Sequence, residues 1–257
     1  MPISSKVVAA ASKGSSSVSC YLVAGMPVIN EGDDLAALID SLFELQDGDV
    51  ICIASTVVAK SEGMFRNLED YQPSQRAAHI AKAIGKDPRF VQAVFDESEE
   101  VLLEKPFILS VTKFGHIGVN AGIDQSNVGG GNIILLLPKD PQASAKRIRS
   151  KLSKDCAVII TDTCGRPFRC GVTGVAIGWS GIAALRDWRG ERDIHGKQLE
   201  ITQEATIDEI AGMANLLMGE AGDGTPVAAI RGLKYSRSGG LLFMPEENDV
   251  IRSRLKS

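Results

Sequence analysis

The chain reads as an α/β protein of mixed sheets with flanking helices, neither a P-loop nor a Rossmann protein. Three observations predict this. Short apolar runs rich in β-branched residues recur at 50–54, 132–137, 157–161 and 227–230, each too short for a helix and bounded by turn residues. Between them lie segments whose apolar residues fall at helical spacing, as at Leu35, Leu38, Ile39 and Leu42. Neither G-x-x-x-x-G-K-[ST] nor G-x-G-x-x-G occurs; residues 190–198 have the wrong spacing, and Gln198 follows Lys197 where Ser or Thr is required.

Each element has its own signal. Residues 25–29 form a short apolar turn, and Asp33 is expected to cap the helix that carries Leu35 to Leu42. Asp47-Gly48-Asp49 turns the chain into the strand 50–54. Ser55, Thr56 and Lys60 follow, either as a solvated loop or as hydroxyls and an ammonium for phosphate beyond a strand end. Pro73 introduces a helix through Arg76, Ile80 and Ile84, closed by Gly85. Residues 90–104 read as a second helix whose acids Asp96, Glu97, Glu99, Glu100 and Glu104 make a solvated face. A strand is expected at 107–111, then a loop of small residues at 118–127 offering oxygens at Asp124, Ser126 and Asn127. An Asx-rich turn accounts for the same loop.

After the strand 132–137, Asp140-Pro141 opens a helix with Lys146, Arg147, Arg149, Lys151 and Lys154 on its wet face. The strand 157–161 ends where Asp162 and Thr163 stand side by side, with Gly165, Arg166 and Arg169 just beyond. Ligands of open α/β sheets collect beyond carboxyl strand ends, and a carboxylate beside a hydroxyl suits a hard cation. The arginines offer planar forks for carboxylate or phosphate. A strand-end turn with a capping aspartate and two solvated arginines explains these residues equally well. A strand at 171–178 follows. Thr206-Ile207-Asp208-Glu209 reads as a capping box for a helix through Ile210, Met213, Ala214 and Leu217. That helix stops at the Gly-rich stretch 219–226, before the strand 227–230.

The chain has 257 residues, 44% hydrophobic and 23% charged, with a net charge of −4. This is ordinary globular composition, and the charge implies neither a nucleic-acid nor a membrane partner. Residues 1–18 read as a loose N-terminal extension rather than a signal peptide. Residues 19–257 read as one catalytic domain, with or without two subdomains. Five scattered cysteines without a C-x-x-C pair point to reduced thiols and a cytoplasmic location. His79, His116 and His195 form no zinc pair, and no local motif supports a Ser-His-Asp triad.

Four stretches, taken together and in order, resemble the coenzyme F420-0:L-glutamate ligases, also called F420 γ-glutamyl ligases. They are Met26-Pro27-Val28-Ile29 before Gly32-Asp33-Asp34, and Asn120-Ala121-Gly122-Ile123-Asp124 with Ser126-Asn127. The others are Thr161-Asp162-Thr163 with Gly165-Arg166-Pro167-Phe168-Arg169, and Ala214-Asn215-Leu216-Leu217-Met218-Gly219-Glu220 with Gly222-Asp223-Gly224. The resemblance implies a GTP-dependent enzyme that joins L-glutamate to coenzyme F420-0 by an amide bond. It also implies a homodimer with two divalent cations, magnesium or manganese, and an effect of potassium. By matching position, Asp124 and Asp162 would hold one metal, Thr163 and Glu220 the other. GTP would be contacted by Met26, Pro27, Val28, Ile29, Ser55, Thr56, Lys60 and Asn127. Met218, Gly219, Glu220, Ala221, Gly222, Asp223, Gly224 and Thr225 would complete that site. Arg166 and Arg169 are assigned as substrate clamps from their chemistry alone.

The residue types suit phosphoryl transfer, which needs positioning and charge neutralisation more than a covalent nucleophile. Two other classes use the same groups: a metal-dependent phosphohydrolase that activates water, and a non-catalytic nucleotide-binding module.

Overall fold

A five-stranded mixed sheet organises the chain, in a computed structural model that describes residues 17–125, 128, 130–222 and 224–255. Its strands are β1 (Ser19–Leu22), β2 (Val50–Ala54), β8 (Ala157–Gly165), β9 (Val172–Ser180) and β12 (Val227–Arg231), in the order β1-β12-β2-β8-β9. Only β2 and β8 run parallel. Alternate residues of β2 leave on opposite faces. Ile51 and Ile53 join a core with α1 (Leu35–Leu42) and α5 (Pro141–Lys151), while Val50 and Cys52 join one with α6 (Thr206–Met218). Both faces are covered, so the central strands carry unbroken apolar runs at 50–54, 157–160 and 227–230.

A second body of structure hangs between β2 and α5. Helix α2 (Ser55–Ser61) leads to β3 (Phe65–Asn67), α3 (Gln75–Ile84) and α4 (Pro88–Glu97). The antiparallel sheet β4 (Ser98–Leu103), β5 (Leu109–Thr112) and β6 (Ile117–Val119) follows, and β7 (Ile133–Leu135) returns to pair with β3. Its core joins Ile80, Phe90, Val94, Ile108, Ala121 and Ile134. The short strands β10 (Arg186–Asp187) and β11 (Gln203–Glu204) pair ahead of α6, and α7 (Val250–Leu255) ends the described chain.

Several expectations are corrected. The α1 cap is Asp34, which accepts from the N–H groups of Ala36 and Ala37; Asp33 instead accepts from Asn30 N–H at 2.7 Å. Ser55 to Lys60 form a helix rather than a solvated loop, because Val57, Val58 and Ala59 are buried. The helix expected over 90–104 is α4 followed by a strand: edge pairing with β5 captures residues 98–103 and overrides their helical spacing. Two of its acids are paired as well, Glu100 with Arg252 and Glu104 with Arg76. Lys154 falls beyond the end of α5, and Arg149 on that helix is half-buried, bonding Cys156 O and Asp155.

The capping box at 206–209 does not form. Thr206 donates to Glu204 O, and Asp208 turns to the sheet to accept the Ala176 N–H at 2.9 Å. That bond lies beside an irregularity where the β8–β9 register shifts between Ile160 and Thr161. An irregular ladder takes backbone groups out of regular pairing, and a carboxylate on the covering helix supplies the partner.

Candidate active site

Strand β8 is longer than its apolar run. Its parallel pairing with β2 ends at Ala54 and Thr161, but β8 continues alongside β9 through Asp162 and Thr163 to Gly165. Asp162 and Thr163 therefore lie on a strand, yet past the carboxyl end of the parallel pair, where β2 gives way to α2. A cavity of about 830 Å³ opens there.

Several separate segments line it, among them Met26 to Ile29, Ser55 to Val57 with Ala59 and Lys60 on α2, Asp124 beside β7, and the turn after α6 from Met218 through Gly222 with Gly224 to Pro226. Asp162 and Thr163 form the floor with Thr161. Every described residue expected to contact metal or nucleotide is on this wall. Asn127 and Asp223, like Ser126, lie outside the described residues. Arg166 and Arg169 are not brought in; they sit on the exposed β8–β9 connection, and Arg166 bonds Cys170 O at 3.1 Å. The cavity also contains Asn215, Thr161, Pro226 and the apolar side chains of Val57, Ile123 and Leu137, none of which was expected there. Asn215 belongs to a motif already legible in the sequence; only its position gives it significance.

Each acid is held by a different device. Asp124 is fixed through its backbone, which exchanges two 2.9 Å hydrogen bonds with Leu135. The turn before it is strained: Asn120 and Ala121 both have φ of 54° and Gly122 has 68°. Non-glycine residues in this region cost about 1–3 kcal/mol each, so the turn persists because burial of Ala121 over-determines it. A Cβ at Gly122 would meet Leu137 Cδ1 at 2.4 Å, so only glycine fits.

Asp162 accepts the Ser55 hydroxyl at 3.0 Å. Burial pushes its pKa up from 3.8 to about 6. Hydrogen bonds from Ser55 and the Thr163 backbone oppose that shift, and the charges of Asp124 and Glu220 add to it. Glu220 receives the Thr163 hydroxyl at 3.2 Å and the Asn215 amide at 2.9 Å, both on Oε1. The Cys164 thiol is pushed up by burial and by the charges of Asp162 and Asp208, which keeps it protonated and unsuited to nucleophilic catalysis.

Among the described residues, no three acid, histidine or cysteine side chains stand close enough together to hold one ion unaided. The donors are nevertheless all oxygens, and Asp124, Asp162, Thr163 and Glu220 line the same cavity. Fold and cavity define a class: an α/β protein with an oxygen-rich, lysine-bearing cavity at one end of its central sheet, suited to phosphates and hard cations.

The chain belongs to the F420-0:Gamma-glutamyl ligase family, whose model matches residues 25–232. It is 52% identical over 242 residues to the coenzyme F420:L-glutamate ligase of Natronomonas pharaonis, covering 91% of this chain and 94% of that protein. It is likewise 52% identical over 245 residues to the enzyme of that name from Archaeoglobus fulgidus, covering 93% and 98%. The Methanosarcina mazei enzyme of that name is 49% identical over 239 residues, covering 90% and 94%. Among the described residues, no helix is long and apolar enough to cross a membrane.

Proposed function

We propose that the protein is a GTP-dependent ligase that forms an amide bond between coenzyme F420-0 and the amine of L-glutamate through an acyl phosphate. The relatives' shared name supports the substrates. The observation that carries the nucleotide reading is the single cavity combining Lys60, the hydroxyls of Ser55, Thr56 and Thr163, and the acids Asp124, Asp162 and Glu220.

A carboxylate is a poor electrophile until one oxygen becomes a phosphate leaving group. The F420-0 carboxylate attacks the γ-phosphorus of GTP, giving an acyl phosphate and GDP. The glutamate amine then attacks the acyl carbon, expelling phosphate and losing a proton. Lys60 and the Thr56 hydroxyl bind phosphate oxygens, with Ser55 beside them turned to Asp162, while Met26 to Ile29 and the turn after α6 close round the nucleotide. Asp124 and Asp162 hold one divalent cation, Thr163 and Glu220 the other, with magnesium or manganese matching the all-oxygen donor set. When bound, the cations supply positive charge against the triphosphate. A potassium effect and a cytoplasmic location belong to the same reading. So does a homodimer, for which exposed Phe168, Ile194, Ile201 and Leu241 offer apolar surface.

The test incubates the protein with F420-0, glutamate, GTP and manganese and weighs the product. A mass gain of one or more glutamyl residues with GDP formation supports the proposal. Phosphate release without an acceptor amine would indicate a phosphohydrolase, and GTP binding without turnover a binding module.

A further inference from the structure

We propose that Asn215 is a positioning residue for Glu220, and that the close approach of α6 to β9 at Gly174 is what places it. Gly174 pairs in register with Thr163 across the β8–β9 ladder. A Cβ at Gly174 would stand 2.6 Å from both Asn215 Cβ and Ala211 O, so α6 lies directly on the strand backbone there. This contact brings the helix side chain next to the strand hydroxyl opposite. Asn215 and Thr163 then donate to the same oxygen of Glu220, at 2.9 and 3.2 Å. Both bonds fall on Oε1 of a carboxylate that lines the cavity.

Glu220 needs such support because of where it sits. It follows Gly219, which ends α6 with its N–H bonded to Asn215 O at 2.9 Å, and it is exposed on a turn. A glutamate there has several rotamers, and fixing one costs side-chain entropy. The Asn215 amide, carried on a helix packed against the sheet, selects the rotamer in advance. Partners of this kind, one shell behind a ligating carboxylate, typically change metal affinity by about 10–100-fold when removed.

The inference rests on the reading of Glu220 as a metal ligand, and its test separates the two. Manganese binding to the nucleotide-loaded protein would be measured by the disappearance of free-ion paramagnetic resonance. The proteins compared are wild type, Asn215→Ala, Glu220→Ala and the double variant, with Asn215→Ser standing in for Asn215→Ala should the latter fail to fold. Asn215→Ala should weaken binding at one ion about tenfold or more in the wild-type background and have no further effect once Glu220 is Ala. Equal losses in both backgrounds, or unchanged binding in Asn215→Ala, would overturn the positioning role. Wild-type protein that binds no manganese, or Glu220→Ala that binds like wild type, would overturn the metal-ligand reading itself and the inference with it.

Discussion

Replacing Asp162 by Asn should make the metal-free protein more stable at neutral pH while largely abolishing its activity. The folded pKa of Asp162 is raised from 3.8 to about 6, with burial the largest cause. At about 1.4 kcal/mol per unit, the ionised carboxylate costs the empty fold roughly 3 kcal/mol at pH 7. The sign follows from the raised value: stability from the neutral form is fully present below pH 3.8 and is lost as pH rises through about 6. Asparagine carries no charge, yet its Oδ1 still accepts the Ser55 hydroxyl that Asp162 receives at 3.0 Å. Urea unfolding in EDTA between pH 4 and pH 7 checks this. The variant should exceed wild type by up to about 3 kcal/mol at pH 7, with the gap closing towards pH 4. With manganese and substrates restored, turnover should fall on the order of a hundredfold or more, since loss of a cation's charge stabilisation costs several kcal/mol. A variant less stable than wild type at every pH, or one with near wild-type turnover, would show that the carboxylate serves the fold rather than the site.

Three further outcomes are expected. Lys60→Ala should weaken GTP use, seen as a raised KM for GTP, with thermal stability within about 1 kcal/mol of wild type; unchanged GTP kinetics would remove Lys60 from the phosphate site. GTP should give a higher kcat/KM than ATP in parallel assays, and equal values would count against guanine recognition. Asp49→Ala should destabilise the protein by about 1–3 kcal/mol in urea titrations without changing the KM for GTP. Asp49 is 1% exposed and accepts the Arg231 guanidinium at 2.8 and 2.7 Å and the Gln46 N–H at 2.9 Å. Its removal takes an acceptor from both, while Arg231, partly open to water, keeps its bond to Glu44 O.

Much of the frame was legible because its signals are local. Strands β2, β8 and β12 are buried on both faces, so their composition alone marks them. Helix α3 carries its own boundary signals, Pro73 before its start and Gly85 at its end, and α5 carries Asp140-Pro141. The acid-and-hydroxyl pairs at Asp124 and Asp162-Thr163 were visible as local chemistry, with an ordinary turn as the rival explanation. What the folded chain adds is that Asp124, Asp162 and Thr163 line one cavity. The Ser55–Asp162 bond spans 107 residues and the Thr163–Glu220 bond 57, and no local pattern encodes separations of that length. It was likewise the β5 edge that made a strand of 98–103, and the bare backbone at Gly174 that brought Asn215 to Glu220. Local sequence sets which conformations a segment favours; which side chains share a cavity depends on how distant elements pack, and only the folded chain supplies that.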